Sequence, residues 1–407
     1  MSQESPSKAT LGAYWRECQS SIPTAAYLHI PFCRRRCYYC DFPISVVGDR
    51  LTHVSTTIED YVAALCREIE LTAKPQQPLQ TVFFGGGTPS LLSVRQLTTI
   101  LKVLDKHLGI ASDAEISMEI DPGTFNREQI LGYLNGGVNR ISLGVQTFDD
   151  QLLKICGRSH SYADIMQAIA LIQQIAVPNF SLDLISGLPH QTLEQCQISL
   201  TQAIAISPHH LSCYDLVLEP VTAFGKQYQP GKKPLPTDEI AANMYRLTQQ
   251  MLTNAGYQHY EISNYARPGY QCRHNRVYWE NKPYYGFGMG AASYLDGKRF
   301  TRPRTRREYY DWLSKGAIIN EPELSPTDRL LESLMLGLRL SEGVDLSSCD
   351  HSTADKIWHC LQPYYRQGLI EITQDKAIIT RLRLRDSEGF LFSNTILSTL
   401  FEKLEDT

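Results

Sequence analysis

Three cysteines stand close together near the start of the chain, directly after an apolar segment: Cys33, Cys37 and Cys40, in a CxxxCxxC arrangement. Four cysteine thiolates normally hold a [4Fe-4S] cluster, so three in one loop would leave one iron open to an external ligand. An open metal position usually means chemistry rather than structure. The triplet therefore predicts a cluster with one reactive iron.

Two simpler interpretations of the triplet stay open at this point, namely a zinc site and merely buried thiols. Structural zinc sites favour two CxxC-type pairs, or cysteine pairs with histidines, and the sequence has no second pair near Cys40. Disulfides are disfavoured, because the chain has an odd number of cysteines, 11, and nothing suggests export.

The composition predicts a soluble globular protein with a large core and one or two domains, since 43% of the 407 residues are hydrophobic and the formal charge is −4. This mild acidity argues against a nucleic-acid partner. Residues 1–22 are polar and read as a flexible tail rather than a signal peptide, and no run of about 18 apolar residues exists to span a membrane. We expect a cytoplasmic protein, whose reducing surroundings preserve thiolates, and peripheral membrane association stays open.

The elements that must position the cysteines follow a βα pattern. From residue 23 to about 220, short β-branched or aromatic runs alternate with amphipathic segments such as Ile58–Ala73 and Tyr162–Ile175. The predicted strands are Ala25–Ile30, Thr81–Phe84, Glu115–Ile120, Arg140–Val145, Phe180–Ile185 and Leu211–Leu216. Six such units predict an α/β fold with a complete or partial TIM-like (β/α)6 barrel.

Polar or glycine residues follow nearly every predicted strand. In parallel barrels the loops after the strands ring one mouth, where function collects. The residues at these strand ends are Gly85–Pro89, Glu119, Asp121, Gln146, Asp183, Tyr214 and Asp215. Any one of them could be a helix cap or a solvated loop residue, but their succession favours a site. The three glycines would allow close backbone approach to a ligand and free main-chain N–H groups.

At this point the sequence resembles the radical S-adenosylmethionine (SAM) enzymes, in the cysteine spacing, in the aromatic Tyr39 and in the string Gly85–Pro89. Longer strings narrow the resemblance to the branch that contains oxygen-independent coproporphyrinogen III oxidase (HemN) and its relative HemW. The strings that carry it are Tyr27–Cys33, Glu119–Pro122, Gly144–Phe148 and Asp183–Pro189. The resemblance covers nearly the whole chain after residue 22 and implies a radical SAM barrel.

The resemblance also implies how two cofactors would sit in the barrel. The amino and carboxylate groups of SAM would chelate the open iron, and one electron from the reduced cluster could cleave the sulfonium to give a 5′-deoxyadenosyl radical. By similarity, Tyr27, Gly86 and Glu119 would contact this SAM. The residues that match a second SAM site of the oxidase are Tyr39, Gly87, Thr88, Gln146, Arg158 and Asp183.

Two strings resemble HemW rather than the oxidase. The oxidase pattern is CxxxCxxCxC, whereas Phe42 stands here in place of the fourth cysteine. The segment His274–Trp279 matches the HNxxYW pattern of HemW, a family of heme chaperones. Since imidazole is a common axial ligand of heme iron, the resemblance makes His274 the candidate heme ligand. From spacing alone, a histidine followed by aromatic residues is more often a hydrogen-bonded core cluster, and that interpretation stays open.

The last hundred residues differ from the barrel pattern. Helices after Ser325, followed by a hairpin of Leu369–Ile372 and Ala377–Leu382, predict a small winged-helix-like α+β domain. The predicted organisation is a flexible tail (1–22), a radical SAM barrel with its extension (23–300) and a HemN-type C-terminal domain (301–407). We expect this last domain to act as a lid or docking module over the barrel mouth.

With the resemblance, the sequence predicts a heme chaperone that binds heme, a [4Fe-4S] cluster and SAM, and transfers heme to an acceptor protein. The alternative is a coproporphyrinogen III oxidase or another radical SAM enzyme acting on a tetrapyrrole. Expected partners are the acceptor and an electron donor, and a homodimer stays open. The run Arg34–Arg36 is typical of solvated surface, although one guanidinium could meet a heme propionate.

Overall fold

The computed structural model describes residues 22–48, 54–74, 77–347, 349–375 and 378–405. Apart from residue 22, the predicted N-terminal tail lies outside the described residues. The strands are β1 (Ala25–Ile30), β2 (Phe32–Cys33), β3 (Ser45–Val46), β4 (Leu79–Gly86), β5 (Ile110–Ile120), β6 (Arg140–Gln146), β7 (Phe180–Ser186), β8 (His210–Asp215), β9 (Gln258–Glu261), β10 (Asn264–Ala266), β11 (Tyr285–Phe287), β12 (Ala292–Leu295), β13 (Lys298–Thr301), β14 (Val344–Asp345), β15 (Ile370–Asp375) and β16 (Ile378–Leu384). The helices are α1 (Val54–Thr72), α2 (Val94–Leu108), α3 (Arg127–Asn135), α4 (Asp150–Ile155), α5 (Tyr162–Ile175), α6 (Leu193–Ile206), α7 (Ala223–Gln227), α8 (Asp238–Asn254), α9 (Arg273–Trp279), α10 (Arg306–Ser314), α11 (Pro326–Gly337), α12 (His351–Arg366), α13 (Glu388–Leu391) and α14 (Ser393–Glu405).

A nine-stranded sheet in the order β11-β1-β4-β5-β6-β7-β8-β10-β9 forms the main body. The six predicted strands are confirmed as its parallel centre, and β11 adds a seventh parallel strand beside β1. The antiparallel strands β10 and β9 continue the sheet beyond β8. Within the described residues β9 and β11 do not pair with each other, so the barrel is the partial form of the predicted (β/α)6 architecture.

Local sequence explains why the helices between the strands start where they do. Ser161 caps α5, accepting a hydrogen bond from the backbone N–H of Asp164, whose carboxylate accepts the N–H of Ser161 in return. Thr192 and Gln195 form the same reciprocal arrangement at α6. Such boxes satisfy backbone donors that have no partner inside the helix. They fix the helix starts, and hence the lengths of the loops at the mouth.

Helix α9 lies at the amino-terminal end of the barrel strands. The carboxylate of Glu115 in β5 accepts the backbone N–H groups of Arg273 and His274, each over 3.1 Å, and so caps the helix. His274 also contacts Thr81, which lies near the start of β4. The helix is therefore at the opposite end of the strands from the cysteine loop.

The C-terminal domain is an α+β unit with its own core. Its three-stranded antiparallel sheet has the order β14-β16-β15, so the predicted hairpin is present and a third strand joins it. A separate apolar cluster surrounds Leu334, Leu361 and Leu400. Helix α10 packs instead on the barrel, where Tyr309 is buried and its hydroxyl donates to Glu68 of α1 over 2.6 Å. By packing, α10 goes with the barrel although it lies beyond the predicted boundary at residue 301.

The prediction that this domain covers the barrel mouth is wrong. The domain docks on the side and amino-terminal end of the barrel, where Arg246 of α8 pairs with Glu388 over 2.6 Å and Arg276 of α9 pairs with Glu342 over 2.6 Å. The cavity at the mouth is lined by described residues between Cys33 and Glu219, so none of them belongs to the C-terminal domain. The sequence pattern of two helices and a hairpin predicts the type of domain but contains no signal for the surface of the barrel on which the domain docks. Among the described helices none is long and apolar enough to cross a membrane.

Candidate active-site pocket

A cavity of about 450 Å³ opens at the carboxyl ends of the barrel strands. The structure brings together here most of the residues that the sequence selected. Those lining the cavity are Cys33, Cys37, Cys40, Tyr39, Gly86, Gly87, Thr88, Glu119, Gln146, Arg158 and Asp183. The cavity falls within the size range of small-molecule sites, roughly 300–1,000 Å³.

The cysteine loop is held by its own backbone. The N–H of Val47 donates to the carbonyl of Cys33 over 2.9 Å, and the N–H of Cys40 donates to the carbonyl of Cys37 over 3.2 Å. The guanidinium of Arg36 reaches the carbonyl oxygens of Cys40 and Phe42, both over 3.3 Å. This arginine therefore closes the loop from outside, a structural role that the solvated-surface prediction did not include.

The three thiols fit a metal cluster by type and by surroundings. The hydroxyl of Thr88 lies 3.7 Å from Sγ of Cys33, and Nη1 of Arg158 lies 3.5 Å from Sγ of Cys37. The hydrogen bond from Thr88 favours the thiolate form of Cys33, which is the form that metals bind. Burial raises the pKa of Cys33 to about 12 and also raises that of Cys40. Metal binding must therefore displace protons from the loop. In the described part of the chain no three His, Cys, Asp or Glu side chains close around a single metal ion.

The glycine loop packs directly onto the start of the cysteine loop. The N–H of Gly87 donates to the carbonyl of Ile30 over 2.8 Å, and the N–H of Thr88 donates to the carbonyl of Phe32 over 2.7 Å. A Cβ on Gly87 would lie 2.7 Å from the same Phe32 oxygen, and Gly86 has a φ of +110°. The glycines thus serve close approach between β4 and β1, and these N–H groups are bonded to protein rather than free.

Glu119 lies at the end of β5 with its carboxylate in the cavity. It accepts the backbone N–H of Gly86 over 3.0 Å. Burial, followed by the nearby carboxylate of Asp183, raises the pKa of Glu119 to about 8. Burial likewise raises the pKa of Asp183, against hydrogen bonds from Ser212 and Ser142 that lower it. Neighbouring acids whose pKa values are raised by burial are often found at functional sites.

Asp121 connects the strand ends to the cluster loop. Its carboxylate accepts from Nη2 of Arg158 and, over 3.1 Å, from the hydroxyl of Thr88. Burial alone would lower the pKa of Arg158, but Asp121 raises it well above its ordinary value. A Cβ on Gly144 would lie 2.6 Å from Oδ1 of Asp121, so a larger residue at this position would displace the Asp121 carboxylate. The strand-end pattern located Asp121, although the resemblance assigned it no role.

Strand β6 contributes a side chain that the sequence analysis missed. The hydroxyl of Ser142 donates to the carboxylate of Asp183, with distances of 2.9 and 3.0 Å to its two oxygens. Ser142, Gly144 and Gln146 follow each other at every second position of β6, which places them on one face of the strand. This two-residue period was a signal in the sequence that could have identified Ser142. Gln146 itself has a φ of +67° where the β6–β7 register shifts. A non-glycine residue with a positive φ costs about 1–3 kcal/mol of conformational free energy, and such residues are often found at functional sites.

Tyr27 lies beside the pocket rather than in its lining. Its hydroxyl bonds to Nδ1 of His29 over 3.0 Å, and its ring stacks on Phe83 at 6.2 Å between centroids. A Cβ on Gly85 would lie 3.0 Å from the Tyr27 ring. Tyr27 therefore supports the floor beneath the glycine loop in this structure.

His274 is placed away from the pocket, in a hydrogen-bonded core cluster. The side chain is fully buried, with Nδ1 2.9 Å from the hydroxyl of Thr81 and Nε2 2.8 Å from that of Tyr278. The ring stacks on Phe83 at 5.2 Å between centroids. Burial lowers the pKa of His274 to about 3. Both ring nitrogens are thus engaged by protein, so an axial bond to heme iron would require this cluster to open.

Comparison with known proteins places these features in a family. Residues 27–201 match the Radical SAM superfamily, and residues 324–382 match the HemN C-terminal domain. The chain is similar to a Synechocystis sp. protein named heme chaperone HemW, with 53% identity over 403 residues, 95% of this chain and 98% of the relative. Identity to the Escherichia coli protein of the same name is 36%, over 92% of this chain and 97% of the relative.

The solved structures include one with the same overall fold. Coproporphyrinogen III oxidase (HemN) from Escherichia coli, described as a radical SAM enzyme, superimposes with a TM-score of 0.79. The match covers 93% of this chain and 89% of that chain at 23% identity, and so bears on the fold alone. Sequence identity of 36–53% over nearly the full length of the curated relatives shows the family. The chain belongs to the heme chaperone HemW family of the radical SAM superfamily.

Proposed function

We propose that the protein is a heme chaperone that binds heme, a [4Fe-4S] cluster and SAM, and transfers heme to an acceptor protein. The observation that carries the proposal is the set of three free cysteines, Cys33, Cys37 and Cys40, that line one open cavity in a chain of the HemW family. Three thiolates leave the fourth iron of such a cluster for an external ligand. Phe42, exposed beside them, stands where the oxidase pattern has a further cysteine.

The remaining cavity residues support SAM as that ligand. Glu119 and Asp183 provide acceptors for the amino and hydroxyl groups of SAM, since both carboxyls face the same space. Arg158 and Thr88 orient the cluster thiols and are themselves oriented by Asp121. When bound, the cluster supplies one electron and SAM supplies a sulfonium that can be reduced. The residues of this chain position the two groups and keep the pocket floor in place.

One experiment separates this function from the oxidase alternative. The protein is reconstituted anaerobically with iron and sulfide, and then heme titration by Soret absorbance and coproporphyrinogen III turnover are measured on the same preparation. We expect a stoichiometric heme complex and no turnover. Turnover without heme binding would overturn the proposal, because the cluster would then serve an oxidase reaction.

The partners and the compartment are part of the same proposal. The proposal includes an electron donor, which is needed to reduce the cluster, a homodimer, and association with the membrane surface. All ten cysteines in the described residues are free thiols, which supports a reducing compartment such as the cytoplasm. Size-exclusion chromatography with light scattering, with and without heme, tests the homodimer.

A further inference from the structure

Two segments with exposed apolar side chains border the mouth of the pocket. One is the cysteine loop, where Phe42 is 56% exposed and Ile44 lies next to it in the cavity lining. The other is the segment after β8, where Val217 is 64% exposed and Leu216 also lines the cavity. Apolar surface collected around one opening costs free energy in water and usually marks a binding site.

The exposure of these two side chains follows from how their segments are held. Leu216 and Leu218 pack onto a small cluster around Phe224, so Val217 between them is turned outward. The carbonyl of Phe42 accepts from Arg36, which fixes the loop and leaves the ring at the rim. The apolar rim is therefore built into the fold.

The charged groups in the outer part of the cavity are distributed unevenly. Arg34 and Arg35 lie on the cysteine loop together with Asp41, whereas Asp215 ends β8 and Glu219 lies in the segment after it. Nε of Arg34 is buried and has no hydrogen-bond partner among the described residues. A ligand with an apolar body and anionic groups at one edge would match this distribution if its anionic edge faced the arginines.

We propose that heme binds at this rim, with its macrocycle against Phe42 and Val217 and its propionates toward Arg34 and Arg35. The proposal rests on the proposed function, since it locates the heme that the chaperone carries. It separates heme from His274, which lies at the other end of the strands with both nitrogens engaged. It also places the heme over the cavity that holds the three thiols.

The test uses cluster-loaded protein and heme titration by Soret difference absorbance. The rim variants are Phe42→Ser, Val217→Ser and Arg35→Gln. Matched controls remove apolar side chains of similar exposure elsewhere: Ile318→Ser, also 64% exposed, and Phe392→Ser, 43% exposed. Iron content and melting temperature of each variant confirm that cluster and fold are intact, as expected for exposed positions.

We expect each of Phe42→Ser and Val217→Ser to raise the Kd for heme about tenfold, and the double variant that carries both to raise it about a hundredfold. The controls should stay within about twofold of wild type. Arg35→Gln should raise the Kd about fivefold, since a partly exposed charge pair contributes modestly. His274→Gln should leave the Kd within about twofold of wild type.

Several results would overturn the rim site while leaving the proposed function standing. One is a Kd for heme in the rim variants equal to that of wild type. The other is a large increase of the Kd in a His274→Gln variant that is still folded. Rim variants with unchanged affinity that fail to deliver heme to an apo-hemoprotein would assign the surface to the acceptor. Loss of a dimer at unchanged affinity would assign it to a second copy. If the wild-type protein itself takes up no heme, the proposed function fails instead.

Discussion

Replacing His274 with glutamine should remove a pH dependence of folding stability that the buried imidazole creates. The pKa of His274 falls from about 6.5 to about 3 because the side chain is fully buried. A histidine held neutral in the fold is protonated more readily in the unfolded chain, so its stabilising effect is complete above pH 6.5 and is lost as the pH falls toward 3.

The magnitude follows from the linkage relation. Between pH 7 and pH 5 the unfolded imidazole gains most of a proton while the folded one gains almost none, which lowers the free energy of unfolding by about 2 kcal/mol. The glutamine variant keeps polar atoms near Thr81 and Tyr278 but cannot titrate in this range. Its stability at pH 7 should fall by about 1–3 kcal/mol, because one buried hydrogen bond becomes imperfect.

Urea unfolding at pH 7.0, 6.0 and 5.0 measures this difference. Other buried histidines also lower stability in acid, so the informative quantity is the difference in slope between wild type and variant. The variant His351→Gln, which replaces an exposed histidine, is the control for the substitution itself. If the free energy of unfolding of His274→Gln changes with pH as steeply as that of wild type, His274 is not held neutral by burial. It would then again be a candidate for an accessible heme ligand.

Three further predictions concern the pocket. Cys37→Ala should lower bound iron from about four per chain to less than one, measured after anaerobic reconstitution. Gly144→Ala should weaken SAM binding by tenfold or more in equilibrium dialysis, because the added Cβ would lie 2.6 Å from Asp121 and displace it; unchanged binding would show that the site tolerates that displacement. In the wild type, a Glu119 carboxyl whose pKa is raised to about 8 stabilises the fold while it is protonated, so the free energy of unfolding should fall by about 2 kcal/mol from pH 6 to pH 8. The variant Glu119→Gln cannot titrate, and this fall should be absent from it.

Local sequence pattern was sufficient to predict the barrel strands and several helices. Helix Tyr162–Ile175 has the predicted bounds because Ser161 caps it and an apolar period of 3.6 residues runs through it. Strand β1 likewise matches, since its apolar run is bounded by proline. The two-residue strand β14 escaped prediction because Val344–Asp345 is too short to show any period.

The tertiary features of the site could be predicted only in part. Strand ends placed Glu119, Asp121 and Asp183 together, because parallel strands bring their carboxyl ends to one edge. The positive φ of Gln146 had no local signal, since a non-glycine residue in this conformation depends on the surrounding sheet. The aromatic neighbours of His274 fit both a heme ligand and a core cluster, and only three-dimensional packing distinguishes the two.

The location of His274 also explains how the mouth can stay open. Helix α9 connects the barrel to the C-terminal domain: Arg276 pairs with Glu342, and Trp279 lies under the guanidinium of Arg339, 5.6 Å from the ring centroid. The helix that contains the HNxxYW string thus joins the two units at the end of the strands remote from the thiols. With the domain docked there, no described residue of it covers the rim at Phe42 and Val217. The proposed transfer of heme to an acceptor needs such an uncovered face, because the acceptor has to reach the ligand without unfolding its carrier.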